Sequence, residues 1–268
     1  MLKLLLNADD YGFSTISTDN INRCLDEGLI NGVSIMAGGA DIERAVESLK
    51  NRKAAITIHL HLFDGHCLAD KRFIPDLINS DEKFKFNLLS LWYALNMSSK
   101  REKIKEQVFV EFCSQIDFVL KHFPNIPIRI DGHQHIHCMP VLKSVIKKLI
   151  GKYKISYIRT PIENDYPFKA PFIKKSKSLL RRYLLKKWGF SIKSILDKYN
   201  VATADYFIGS ALSTDMKFDY LSAILNKLSD KSGLAEIMLH PGYENDFNLI
   251  LSRSFRNLID DNKFIGAF

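Results

Sequence analysis

Leu2 to Leu6 is a nearly unbroken apolar run, the pattern of a strand buried on both faces. Asn7 to Ser14 reads as the loop at its carboxyl end. From Ile16 to Leu29 apolar residues recur at helical spacing, with Gly28 and Gly32 marking the exit. Val33 to Ala37 is a second short strand, closed by Gly38 and Gly39. Asp41 is placed to cap a helix that turns Ala45, Val46 and Leu49 inward. Ala54 to Leu62 forms a third strand and carries His59 and His61. This alternation of strand and helix is the rhythm of a parallel α/β architecture.

Phe63 to Asp81 lacks periodicity and reads as a long loop, a kind of segment that tends to be functional in compact domains. Two helices follow, over Phe84 to Met97 and Glu102 to Phe123. The second has an inner stripe of Val108, Phe112, Ile116 and Val119. Ile126 to Ile130 is a β-branched strand ended by Asp131 and Gly132, and His133, His135 and His137 come directly after it. Pro140 suits the first turn of a helix over Val141 to Ile150. Ile155 to Ile158 is a strand ending at Arg159, and Ile162 to Pro171 is a loop. Lys174 to Trp188 interleaves leucines with lysine and arginine as a basic amphipathic helix. Tyr206 to Gly209 and Ala235 to Leu239 are strands, the latter ending at His240, with helices over Tyr220 to Leu228 and Leu249 to Ile259. No repeat or interdomain linker stands out. The expectation is a single domain over residues 1–268, about seven βα units, with a basic helical insertion around residues 165–200.

Composition changes this picture little. The chain has 268 residues, 46% hydrophobic and 25% charged, as an ordinary globular protein does. A net charge of +8 invites a nucleic-acid or anionic-membrane partner. Much of that charge lies on helix faces that solvent would cover, and the aromatics sit in apolar stripes rather than among arginines, so no nucleic-acid partner is expected. Cys24, Cys67, Cys113 and Cys138 are far apart, with no Cys-x-x-Cys, which argues against a disulfide framework or zinc knuckle and suits a reducing compartment. No apolar run approaches membrane-spanning length. A cytoplasmic protein is expected.

The strand exits carry the chemistry. Asp9 and Asp10 follow the first, His59 and His61 lie on the third, Asp131 to His137 follow the next, and His240 a late one. In a parallel βα fold these ends share one face, where active sites are built. A carboxylate with two imidazoles makes a three-ligand cation site with positions open to water and substrate. A second carboxylate would serve as general base or as support. Neighbours on an extended strand point to opposite sides, so Asp9 and Asp10 are not expected to ligate alike.

Four segments, Leu6 to Gly12, Ile58 to Leu60, Asp131 to His137 and Glu236 to Gly242, resemble those of the YdjC-like carbohydrate deacetylases, a family that includes chito-oligosaccharide and hopanoid-associated deacetylases. The resemblance implies a deformed (β/α) barrel similar to polysaccharide deacetylases and hydrolysis of an N-acetyl group on a sugar. It places a divalent metal, magnesium by family, on Asp10, His59 and His133. Asp9 becomes the candidate base and His240 the candidate acid, with Tyr11, His135, His137 and Arg159 as candidate substrate contacts. The histidine-rich ligand set is chemically comfortable with zinc as well. Phe63, His61 and Gly132 depart from residues common in the family, which touches acyl or sugar contacts more than the metal site. A lipid-linked substrate, a peripheral membrane contact and a homodimer stay open. Two rivals are a phosphoesterase on a similar barrel and a basic, non-catalytic binding protein.

Overall fold

The structure, a computed structural model, describes residues 1–81, 83–164, 172–261 and 265–266, without the side chains of 172–179, 261, 265 and 266. Seven strands run in parallel: β1 (Leu2–Tyr11), β2 (Gly32–Ile35), β3 (Ala55–Leu60), β4 (Ile128–Gly132), β5 (Ile155–Ile158), β6 (Tyr206–Ile208) and β7 (Gly233–Leu239). Their order is β5-β4-β3-β2-β1-β7-β6, and a two-residue β8 (Ile265–Gly266) pairs with the start of β1. The sheet curls into a half-barrel. The segment from Ala202 to Asp205 bridges β5 and β7: the Ala202 carbonyl accepts from the Ile158 N–H at 2.9 Å, and the Asp205 N–H donates to the Leu234 carbonyl in β7 at 2.9 Å.

Helices α1 (Thr15–Asp26), α2 (Ile42–Leu49), α3 (Leu88–Met97), α4 (Arg101–His122), α5 (Lys143–Lys152), α6 (Phe172–Tyr199), α7 (Phe218–Leu228), α8 (Glu244–Leu251) and α9 (Arg253–Asp261) flank the sheet. Leu4, Leu6 and Ala8 of β1 join Ile21 of α1, Phe112 of α4, Ile146 of α5 and Ile237 of β7 in one buried hydrophobic cluster. Parallel strands sandwiched this way read as continuous apolar runs, as β1 does. No described helix is long and apolar enough to cross a membrane.

Several local expectations change. β1 does not stop at Leu6: it pairs onward through Ala8 with Leu239 and through Tyr11 with Ile35. Asn7 stays inside because its amide donates to Asp9 and Ser34 at 2.8 and 2.7 Å. Asp41 gives no side-chain cap to α2, since Arg44 takes both of its carboxylate oxygens at 3.1 and 3.0 Å. The last helix is two, parted at Ser252, whose hydroxyl accepts from the Phe255 N–H at 3.1 Å to start α9. The expected 162–171 loop falls partly outside the described residues, and α6 runs on to Tyr199, past the expected Trp188.

Candidate metal centre and active site

Where β1 leaves the sheet its register with β2 shifts between Ala8 and Tyr11, and Asp10 takes a left-handed φ of 66°. A bulge of this kind re-aims the residues it contains. It lets Asp9 and Asp10 both line the same cavity, which a flat strand would forbid. At the end of β4 a 3₁₀ turn over His133–Cys138, with Gln134 and His135 at φ 52° and 57°, swings His133 and His135 towards that cavity. Gly132 leaves no room for a side chain, because a Cβ there would stand 2.8 Å from His137 Nδ1 and 3.0 Å from the Leu60 carbonyl. The cavity measures about 610 Å³, and Asp64, His240 and Tyr243 also line it, with Leu88 of α3 and Leu180, Leu184, Leu185 and Trp188 of α6.

Asp10 Oδ1 is the meeting point. It lies 2.9 Å from His133 Nδ1 and 3.4 Å from His59 Nε2. The other nitrogen of His59, Nδ1, is 2.7 Å from Asp131 Oδ1. Asp131 Oδ2 in turn accepts the Ser34 hydroxyl at 2.6 Å. A buried carboxylate that takes one imidazole N–H leaves the other nitrogen's lone pair directed at a cation, the usual support of a metal-binding histidine. Asp10, His59 and His133 each offer a ligand atom within 4.8 Å of the others. Asp9, His59 and Asp131 make a second such group. That group is already served by a cation of the protein's own: Arg159 donates to Asp9 at 2.7 and 2.8 Å, to Glu236 at 2.7 Å, and lies 2.8 Å from Asp131.

The electrostatics match this division. Burial would raise the pKa of Asp9, but the Arg159 guanidinium outweighs it and holds Asp9 well below the usual carboxylate range. Burial likewise opposes the charge on Asp10, yet its contacts with His133 and His59 keep it well below its ordinary value. Burial would lower His59 and His133, while Asp131 and Asp10 overcome it for His59 and Asp10 and Asp64 for His133, leaving them at about 10 and about 9. The carboxylates therefore demand positive charge between them. Protons on the two inner-facing nitrogens meet the demand when no ion is bound, and a divalent cation suits the same donor set. Burial has the opposite outcome at His61 and His137, which fall to about 3 and about 4 and stay neutral.

The remaining expected contacts sort into two groups. His240 lines the cavity with its Nδ1 unpaired, 3.8 Å from Asp246 Oδ2, and its backbone N–H donates to that same oxygen at 2.8 Å. His135 also lines the cavity, edge-on to Phe207. Tyr11, His137 and Arg159 do not line it. Tyr11 is buried, with its hydroxyl donating to Asn22 and to the Ala45 carbonyl at 2.7 and 3.0 Å. His137 Nε2 is turned to the Arg159 carbonyl at 2.8 Å. Arg159 is fully buried among its three carboxylates, Asp9, Asp131 and Glu236. Sequence reading gave no role to Ser34, Asp64, Glu236 or Asp246. Asp131 was legible as part of the histidine-rich segment and Glu236 as the start of the segment that ends at Gly242; Ser34, Asp64 and Asp246 carried no local signal, because their partners come from distant elements.

Fold and cluster together define an α/β half-barrel whose strand exits bring an aspartate and two histidines, a group compatible with a divalent cation, to the floor of an open cavity. The chain belongs to the YdjC-like family: the model described as YdjC-like protein matches residues 3–261. Among curated relatives, a carbohydrate deacetylase of Danio rerio is 23% identical over 90% of this chain and 82% of its own length. One from Oceanobacillus iheyensis is 29% identical over 62% of this chain and 68% of its own. A crystal structure of an Enterococcus faecalis protein, described as a candidate cellobiose-phosphate cleavage protein, shares the fold with a TM-score of 0.71 at 19% identity, covering 99% of this chain and 96% of that one.

Proposed function

We propose that this protein is a metal-dependent carbohydrate N-deacetylase, hydrolysing the acetamide of an N-acetylated sugar to acetate and amine. The observation that carries the reading is the meeting of Asp10, His59 and His133 beside Asp9 and His240 in one cavity. The curated relatives named carbohydrate deacetylase support it from sequence. Asp10, His59 and His133 would hold a divalent cation. When bound, it supplies Lewis acidity towards the acetyl carbonyl and lowers the pKa of water.

The chain's own groups do the rest. Asp9, kept anionic by Arg159, accepts a hydrogen bond from the attacking water, orients it and takes its proton as attack proceeds. Its depressed pKa makes that protonated state short-lived. His240, with Asp246 beside it, gives a proton to the departing amine nitrogen. Leucines and Trp188 of α6 form an apolar wall that suits a sugar face, or an apolar group attached to the sugar, and a lipid-linked substrate belongs to this reading. A phosphoesterase working through two ions is disfavoured, because Arg159 fills the second carboxylate group.

The test is acetate release from a panel of N-acetylated mono- and oligosaccharides, free and lipid-linked, with and without a chelator. Release that stops with chelator and returns with added Zn²⁺ or Mg²⁺ supports the reading. Release that chelation leaves untouched, or none from any N-acetylated sugar, rejects it.

A further inference from the structure

His59 and His133 are both strung between two carboxylates. Each turns one nitrogen to Asp10 Oδ1, His59 through Nε2 at 3.4 Å and His133 through Nδ1 at 2.9 Å. Behind His59 stands Asp131, 2.7 Å from Nδ1. Behind His133 stands Asp64, whose Oδ2 is 3.4 Å from Nε2. A ring that must keep one lone pair for a cation needs an acceptor for its opposite N–H. We infer that Asp64 is the positioning residue of His133: it holds the Nε2–H tautomer and so commits Nδ1 to the cation, as Asp131 commits Nε2 of His59. This rests on the divalent-cation reading above.

The backbone around Asp64 favours a built part over an incidental neighbour. Asp64 has a φ of 55°, a conformation that glycine would hold at lower cost. The loop is tied on its far side. The His66 N–H donates to the Gly38 carbonyl at 2.9 Å, and the Leu68 and Ala69 N–H groups donate to the buried Glu111 carboxylate at 3.0 Å each. Its position is therefore set before any ligand arrives. The two outer carboxylates differ in one respect: Asp131 is fully buried, while the Asp64 side chain is 54% exposed on the cavity side. Half of the cradle is oriented from inside the core, and half from a loop that solvent and substrate share.

Asp64→Gly removes the carboxylate from a backbone that glycine tolerates, and Asp64→Asn keeps a neutral acceptor at the same place. The measurements are the Zn²⁺ dissociation constant, by competition with a chromophoric chelator, and the ring-nitrogen shifts of His133 in the Zn²⁺-loaded protein by long-range ¹H–¹⁵N correlation. The expected result is about 10–100-fold weaker Zn²⁺ binding in Asp64→Gly, the size that lost outer partners of ligands show. Asp64→Asn should recover part of it. In the wild type the His133 signals should show Nδ1 bound and Nε2 protonated, and in Asp64→Gly that assignment should be lost or mixed. Wild-type affinity together with an unchanged His133 pattern in Asp64→Gly overturns the inference and leaves the cation site standing. A wild-type protein that binds no Zn²⁺ overturns the metal reading and this inference with it.

Discussion

Arg159, beneath the floor of the cavity, is fully buried and spends its guanidinium on three carboxylates, whereas Leu184, on the α6 wall of that cavity, is 45% exposed. The floor is made of strand exits, where Asp9, Asp131 and Glu236 all answer Arg159 across the sheet. The wall is one helix laid beside the sheet, with leucines turned to an open space. A buried ionic cluster tolerates almost no change, since any lost partner leaves a charge stranded in low dielectric. An exposed apolar wall tolerates many. On the function proposed above, the chemistry sits on the densely ion-paired floor, and selectivity would be set by the more permissive α6 wall.

The sharpest way to break this contrast is Arg159→Met, which strands Asp9, Asp131 and Glu236 together. Loss of one member of a buried ionic group costs about 3–5 kcal/mol, so denaturant unfolding should show a fall of that order or no folded protein at all. A variant of near wild-type stability would mean that the floor is not cooperative. Next, His59→Ala should fold, yet bind no stoichiometric metal and release no acetate. Retention of one tightly held ion, by elemental analysis, would place the cation elsewhere.

A pH series tests the same floor by its charge. In ion-free protein His59 and His133 lie at about 10 and about 9, above their ordinary 6.5. Groups raised in this way contribute stability that is complete below pH 6.5 and is lost as pH rises through 9 to 10. His61 and His137, depressed to about 3 and about 4, contribute stability present above pH 6.5 and lost as pH falls towards those values. Chelated protein should therefore melt lower on both sides of a maximum near neutrality, by about 2–4 °C for each kcal/mol lost. Metal replaces the inner protons, so the alkaline fall should vanish in loaded protein. An alkaline fall of equal size with and without metal would remove the cation from between these rings. The smallest effect belongs to the wall: Leu184→Ser should change stability by no more than about 0.5 kcal/mol while shifting the preference between sugars with and without an apolar attachment. A large loss of stability there would make α6 part of the core.

Much of the floor could be read from sequence, because histidines and aspartates at strand exits announce themselves once the βα rhythm is seen. Asp10, His59 and His133 do stand together, and the parallel strands fall close to the segments that the βα rhythm marks. Arg159 does not reach the cavity, for a physical reason. A lone arginine at a strand end looks like a ligand contact, and only the pairing of β5 with distant carboxylates shows that its charge is already spent. Tyr11 and His137 likewise lie off the cavity, each turned to a backbone carbonyl that no local pattern reveals. Asp64 and Asp246 were invisible because loops and helix starts are full of aspartates, and only the folded chain brings these two to imidazoles.

The bulge in β1 carries a consequence for anyone who would move or mimic this centre. Grafting two consecutive aspartates onto a straight strand of another scaffold would send one carboxylate to each side of the sheet and assemble nothing. Straightening β1 between Ala8 and Tyr11 would part the two neighbouring carboxylates here while leaving both acidic side chains in the chain. The motif is spelled in main-chain torsion as much as in letters, and a search by letters alone will return look-alikes that lack the bend.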